Sequence, residues 1–206
     1  MRPFEISLKD GRRVRLQPVR PEDRARLEAA FANLSPRSRF LRFRRPVAVL
    51  SAEELAQLTA PDGRYHVAWG AIALDQPGEP GVGIARLVRH ADDPSQADWA
   101  VTVVDAWQRQ GLGRVLAETL VLAALERGIT DLHARVLPEN VAALRLLEGL
   151  GGRVTGRDGA DLHCALPVRG DDRTLASSAE FRDVPDFTVL GTTPRVSRIR
   201  ALLRLL

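Results

Sequence analysis

Residues 12–19 alternate, with Val14 and Leu16 set against Arg13, Arg15 and Gln17, and a period of two predicts a strand. The period then lengthens. Leu27, Ala30, Phe31 and Leu34 share one face of a helix over "RPEDRARLEAAFANL", with Pro21 suited to its first turn. "SPRSRFLRF" predicts a second, short helix opening at Ser35 and Pro36, and Ser51 with Glu54 forms a capping-box pattern ahead of "ELAQLTA". "YHVAWGAIAL" and "GVGIARLVRH" read as strands joined by the turn-rich segment 75–81, and "ADWAVTVV" as a further strand. A long apolar helix over 112–127 follows, its end marked by Gly128. "DLHARVL" is a strand with Leu132, Ala134 and Val136 on one face. "ENVAALRLLEGL" is a helix stopped by Gly151, and "GRVTGRDGADLHCALPV" is a hairpin around Asp158 and Gly159.

This order predicts an α/β domain with a mixed sheet of about seven strands flanked by helices, over residues 1–167. Residues 168–206 read as a separate part. The stretch 169–187 is polar and loop-like. The segment 195–206 places Val196, Ile199, Leu203 and Leu206 on one helical face among arginines, a basic amphipathic helix that suits a partner, a membrane surface or its own domain. No internal repeat is visible.

Hydrophobic residues make up 45 % of the 206, enough for a sizeable core. The single cysteine, Cys164, excludes an internal disulfide and a Cys-rich metal site. No two histidines stand at metal-ligand spacing, so no metal is expected. "MRPFEISLKDGRR" lacks a signal peptide's apolar stretch, and no uncharged run is long enough to span a membrane; a cytoplasmic protein is expected. Thirty basic residues against 26 acidic ones leave a net charge of +4. That balance suits an anionic small ligand; only the arginine count supports a nucleic-acid partner, and none is expected.

The chemistry concentrates at "VTVVDAWQRQGLGRVLAETL", residues 101–120. A β-branched run gives way to a turn with Gly111 and Gly113, and then to a helix N-terminus. The first amides of a helix have no internal partners and lie at the positive end of its dipole, so they hold anions. Glycines there let a phosphate lie directly on the backbone. The pattern is not a P-loop, since no Gly-Lys-Ser/Thr follows, and it lacks the third glycine of the dinucleotide fingerprint.

"QRQGLGR", preceded by "VTV" and followed by "VLPENVAALRLLEGLG" after one helix and one strand, resembles the GNAT superfamily of acetyl-CoA-dependent N-acetyltransferases. The resemblance covers residues 12 to about 160. "SPRSRFLRF" and "ADWAVTVVDAWQRQGLG" are most similar to its bacterial protein-lysine acetyltransferase branch. It implies the GNAT fold, with the strand 97–104 splayed from the strand 131–137 and the thioester in the notch between them. It implies that Val101, Thr102 and Val103 offer backbone groups to the pantetheine arm. Arg109, Gln110, Gly111, Leu112, Gly113 and Arg114 would cradle the pyrophosphate, and Asn140 would hydrogen-bond the coenzyme.

Acetyl transfer needs a neutral amine, whereas a lysine ammonium is mostly charged at neutral pH, so a base is required. Asp98 is the candidate: the resembled branch usually carries glutamate there, and the shorter aspartate would reach through water. The family's other base position is Arg135, which cannot serve. Its usual acid, a tyrosine, is replaced by Leu147, and the only tyrosine, Tyr65, is distant in sequence. The amide of Val103 would be a donor to the developing oxyanion. Cys164 reads as a structural thiol. His90 and His133 are candidate substrate-side groups, and Trp69, Trp99 and Trp107 candidate groove walls, although each type is more often structural. The expected function is N-acetylation of a protein lysine. Left open are a small-amine acceptor, a non-catalytic acyl-CoA-sensing module, and a homodimer.

Overall fold

A computed structural model describes residues 1–168; the polar tail and the basic helix expected at 195–206 lie outside them. The elements run β1 (Phe4–Ser7), β2 (Arg13–Pro18), α1 (Arg24–Ala32), α2 (Pro36–Phe43), α3 (Ala52–Thr59), β3 (His66–Ala73), β4 (Gly81–Arg89), β5 (Gln96–Val103), α4 (Leu112–Leu125), β6 (Asp131–Val136), α5 (Val141–Gly149), β7 (Arg153–Asp158) and β8 (Asp161–Pro167). They form one mixed sheet ordered β1-β2-β3-β4-β5-β6-β8-β7, flanked by helices. Among the described residues only β5 and β6 pair in parallel; α4 makes the crossover between them, as a parallel connection requires.

Among the described residues the sheet has eight strands where about seven were expected, and the additional one is β1. Its four residues bury Ile6 alone and pair with β2 from Phe4↔Leu16 to Ser7↔Arg13. So short an edge strand carries too little alternation to be read from the sequence.

The helices follow from local chemistry. The Ser35 hydroxyl accepts the Ser38 amide at 3.1 Å and caps α2. The capping box at α3 is complete, with Glu54 N donating to Ser51 Oγ and Ser51 N donating to Glu54 Oε2. Helix α4 is largely apolar because nearly all of it is buried: Leu112, Leu116, Leu120 and Val121 are fully enclosed, and its charged residues, Arg114 and Glu118, pair with each other. It lies on the sheet face carrying Ala85 and Leu87. Helices α1–α3 cover the opposite face, and Arg86 of β4 donates to the Leu58 carbonyl of α3 at 2.8 Å.

Candidate active site

The site arises where the one parallel pairing fails. β4 and β5 pair along their length, from Arg89↔Ala97 to Gly83↔Val103. β5 and β6 pair only at Gln96↔Asp131, Ala97↔Leu132 and Asp98↔His133. Beyond Asp98 the two strands diverge, and the notch opens into a groove of about 1180 Å³ that reaches the N-terminus of α4.

Backbone direction on the open edge follows from alternation. The Val104 amide donates to Val82 on β4, and the Ser95 carbonyl accepts from Thr130 beside β6. Odd-numbered residues of β5 therefore turn their peptide groups towards β6. Trp99, Val101 and Val103 present theirs to the notch, whereas the backbone of Thr102 faces β4. Gln108 Nε2 donates to the Val103 carbonyl at 3.0 Å. Thr102 lines the groove with its side chain instead.

Gly111 caps α4 with φ 90°, and Arg109 also has positive φ, at 61°. Two left-handed residues in three make the chain double back, so the strand hands over to the helix in a tight cup. Arg114 and Val115 both donate to the Gly111 carbonyl, so the amides of Leu112 and Gly113 lie ahead of the first helical bonds. Leu112 sends its side chain into the core. The Gln110 carbonyl accepts from the Lys9 amide at 3.5 Å. The Arg114 guanidinium reaches Glu118 at 2.9 Å and the Gly149 carbonyl at 3.4 Å, tying α4 to α5. Asn140 caps α5, its Oδ1 accepting from Ala143 at 3.2 Å; it borders the groove from the β6 side.

At the closed end of the notch Asp98 stands with its side chain 71 % exposed, its Oδ1 3.2 Å from His90 Nε2. The His133 ring stacks on that of His90 at 5.7 Å, and its Nε2 is buried without a partner among the described residues. These three residues, from β5, the end of β4 and β6, become one cluster. The sequence offered His90 and His133 only as candidate substrate-side groups, and nothing in their separate contexts joins either of them to Asp98.

Other candidates separate. Trp99 lines the groove, whereas Trp69 and Trp107 are buried away from it, against Phe4 and Arg12. Leu147 and Arg135 line the groove, and Tyr65 is outside it. Cys164 is buried between Ala134 and Val154, and burial pushes its thiol up from the ordinary value. Among the described residues no cluster could hold a metal.

A segment missed as a site element is "SPRS". Asp105, at the exit of β5, accepts from the Ser35 amide (2.9 Å), the Ser35 hydroxyl (2.8 Å) and the Ser38 hydroxyl (2.8 Å). These bonds pin the start of α2 over the groove. Burial acts to raise the Asp105 carboxyl, but the combined bonds from Ser35 and Ser38 hold it below its ordinary 3.8.

A mixed sheet split beside a glycine-cupped helix N-terminus defines an acyltransferase fold. Residues 13–153 match the family model described as acetyltransferase (GNAT) domain, and the chain belongs to that family of N-acetyltransferases, whose members use acetyl-CoA. It is 32 % identical over 145 residues to acetyltransferase PA5475 of Pseudomonas aeruginosa, covering 70 % of this chain and 77 % of that protein. It is 30 % identical over 156 residues to acetyltransferase Pat of Mycolicibacterium smegmatis, covering 72 % of this chain but only 44 % of Pat. The crystal structure of the GNAT domain of S. lividans PAT superposes with TM-score 0.74 at 25 % identity, over 80 % of this chain and 96 % of that one. Among the described residues no helix is long and apolar enough to cross a membrane.

Proposed function

We propose that the groove binds acetyl-CoA along β5 and across the N-terminus of α4, and that Asp98 prepares an amine, most simply a protein lysine, for acetylation on the α1–α3 face. The single observation behind this is the parting of β5 from β6 beyond Asp98 and His133, which opens directly onto the Gly111 cup.

The residues present fit the coenzyme. The cup offers the amides of Leu112 and Gly113, and Gly113 offers no side chain; a Cβ there would meet only Val103 Cγ2 at 3.7 Å, so the space over it is open to a pyrophosphate. The peptide groups of Val101 and the amide of Val103 face the notch with no β6 partner, suited to an extended amide-bearing arm, while Gln108 occupies the Val103 carbonyl. Arg109 and Asn140 border the two ends of that path. The coenzyme supplies an activated thioester, and the protein's part is placement and proton handling. Asp98 takes the ammonium proton through water, held in orientation by His90. The Val103 amide is placed to donate to the carbonyl oxygen. With Leu147 where the family's tyrosine stands, solvent in the open groove protonates the departing thiolate, which needs little help from a side chain.

A protein acceptor accords with the breadth of the groove, with the exposure of Asp98, and with the similarity to Pat. The test is mass spectrometry of lysine peptides, acetyl-CoA synthetase and polyamines after incubation with acetyl-CoA. Acetyl-lysine on peptide or protein supports the reading; acetylation confined to polyamines would move the acceptor to small amines.

A further inference from the structure

Two arginines on the acceptor face have no acidic partner among the described residues. Arg86 lies on β4 opposite Ala100 of β5, and it is 9 % exposed. The one hydrogen bond of its side chain to a described residue is to the Leu58 carbonyl. Arg42, half-buried at the end of α2, makes no ion pair with a described residue, and its guanidinium lies over the ring of its neighbour Phe43 at 5.2 Å. Other arginines nearby are neutralised: Arg44 by Asp161 and Arg45 by Glu54. Arg42 and Arg86 repel one another, and burial followed by that repulsion lowers Arg86 to about 9, still fully charged at neutral pH.

Burying one guanidinium without a counter-charge is unfavourable, and facing it with a second compounds the penalty. An anion between them would remove it. Arginine's planar fork suits a carboxylate gripped by two donors. Both side chains line the acyl-transfer groove, and both also line a second cavity of about 80 Å³ behind it, walled by Phe31, Phe43, Leu58 and Ile84. Alternation puts Asp98, Ala100 and Thr102 on the same face as Arg86. Arg86 is two residues along β4 from Val88, which pairs with Asp98, so the Arg86 backbone stands roughly 7 Å along the strand from the base. The cavity has room for a short chain of atoms, not a second ligand.

We propose that Arg42 and Arg86 form a carboxylate-binding site beside the transfer point. The carboxylate belongs either to the distal end of a dicarboxylyl thioester such as succinyl-CoA or to the acceptor, next to its reactive amine. This rests on the acyl-transfer reading above. With a dicarboxylyl donor the step is unchanged: the amine nitrogen bonds to the thioester carbonyl carbon, the C–S bond breaks, the coenzyme leaves as its thiol, and the amine's surplus proton passes to solvent through the base. The distal carboxylate keeps its charge throughout and rests between the arginines.

The experiment has a binding arm and an acceptor arm. Calorimetry compares acetyl-, butyryl- and succinyl-CoA on the wild type and on Arg86→Met, Arg86→Lys and Arg42→Met. If the acyl group carries the charge, succinyl-CoA binds about ten-fold more tightly than butyryl-CoA. The methionine variants lose that preference, and Arg86→Lys keeps part of it. In the second arm, lysine peptides differing by Asp against Asn beside the lysine are acetylated from acetyl-CoA. If the acceptor carries the charge, KM is lower for the Asp peptide, and the methionine variants equalise the two. The wild-type comparisons stand even if a variant fails to fold. Acetyl-CoA bound, with no discrimination in either arm or with discrimination surviving both methionine variants, overturns the carboxylate site alone. Absence of acetyl-CoA binding by the wild type overturns the transferase reading beneath it.

Discussion

Gly111 and Gly113 are two residues apart in one turn, yet they are glycine for different reasons. Gly111 sits at φ 90°, where an L side chain strains the backbone by about 1–2 kcal/mol. Gly113 has ordinary backbone and ordinary room for a Cβ, so the fold itself tolerates a side chain there. Gly111→Ala should therefore lower the melting temperature by a few degrees. Gly113→Asp should leave it nearly unchanged and weaken acetyl-CoA binding at least ten-fold, about 1.4 kcal/mol. Paired thermal denaturation and calorimetry separate the two, and a Gly113→Asp protein that binds the coenzyme normally would remove the pyrophosphate from this turn. At the other end of the notch, Asp98→Asn should lower kcat about a hundred-fold with coenzyme affinity retained. His90→Ala, which releases the carboxylate without removing it, should lower kcat less. Steady-state kinetics at saturating acetyl-CoA checks the order.

At the scale of elements, the anchor of α2 matters more than the helix itself. Its eight residues could not hold a helix alone; the Ser35 cap and the Asp105 carboxylate place it. Asp105→Asn should cost about 1 kcal/mol, at the lower end for bonds to a charged acceptor because the site is exposed. The sign of its pH dependence is fixed. A carboxyl held below its ordinary 3.8 contributes stability that is complete above 3.8 and is lost as pH falls through the folded-state value. The melting-temperature gap between wild type and Asp105→Asn should thus stay constant from pH 7 to about pH 5 and shrink in more acid solution. A gap that widened with acid would contradict the role given to this carboxylate. Since Ser38, Arg42 and Phe43 belong to the same helix, the variant should also raise KM for the acceptor more than it weakens coenzyme binding.

The whole molecule is a sheet opened at one place. Among the described residues seven pairings join the eight strands, and the single parallel one is abandoned after three residues. A ligand filling that gap bridges two halves of the sheet that are otherwise joined there by side chains and α4. At a concentration of one hundred times Kd, acetyl-CoA should therefore stabilise the fold by about 2.7 kcal/mol. Calorimetric melting reads that gain, and backbone NMR should place the largest shifts at 109–114 and along 99–103. Saturating coenzyme that moves neither set of resonances would sink the proposed binding path.

Much of this was legible before folding, because local periodicity and turn chemistry dictated the elements one at a time. Val14 and Leu16, the Ser51–Glu54 box, Gly111 at the head of an apolar helix, and Gly128 and Gly151 as stops needed no tertiary partner to be read. Strand β1 was not legible, since Phe4–Ser7 is too brief to alternate. Nor was the direction of each peptide group along β5, which depends on which neighbour a residue faces: Val101 and Val103 turn to the notch and Thr102 does not. His90, just past the end of β4, and His133 of β6 were joined to Asp98 only when the sheet order set them beside it. Arg42 and Arg86, 44 positions apart in the chain, became a pair only when α2 was laid over β4. Sequence alone determined the succession of elements and the glycine cup, because those depend on residues within a turn or two of each other. Tertiary structure decided the notch, the Asp98–His90–His133 cluster and the two arginines that no described carboxylate partners, because charge and hydrogen-bond balance depend on what the fold brings near and what it keeps away.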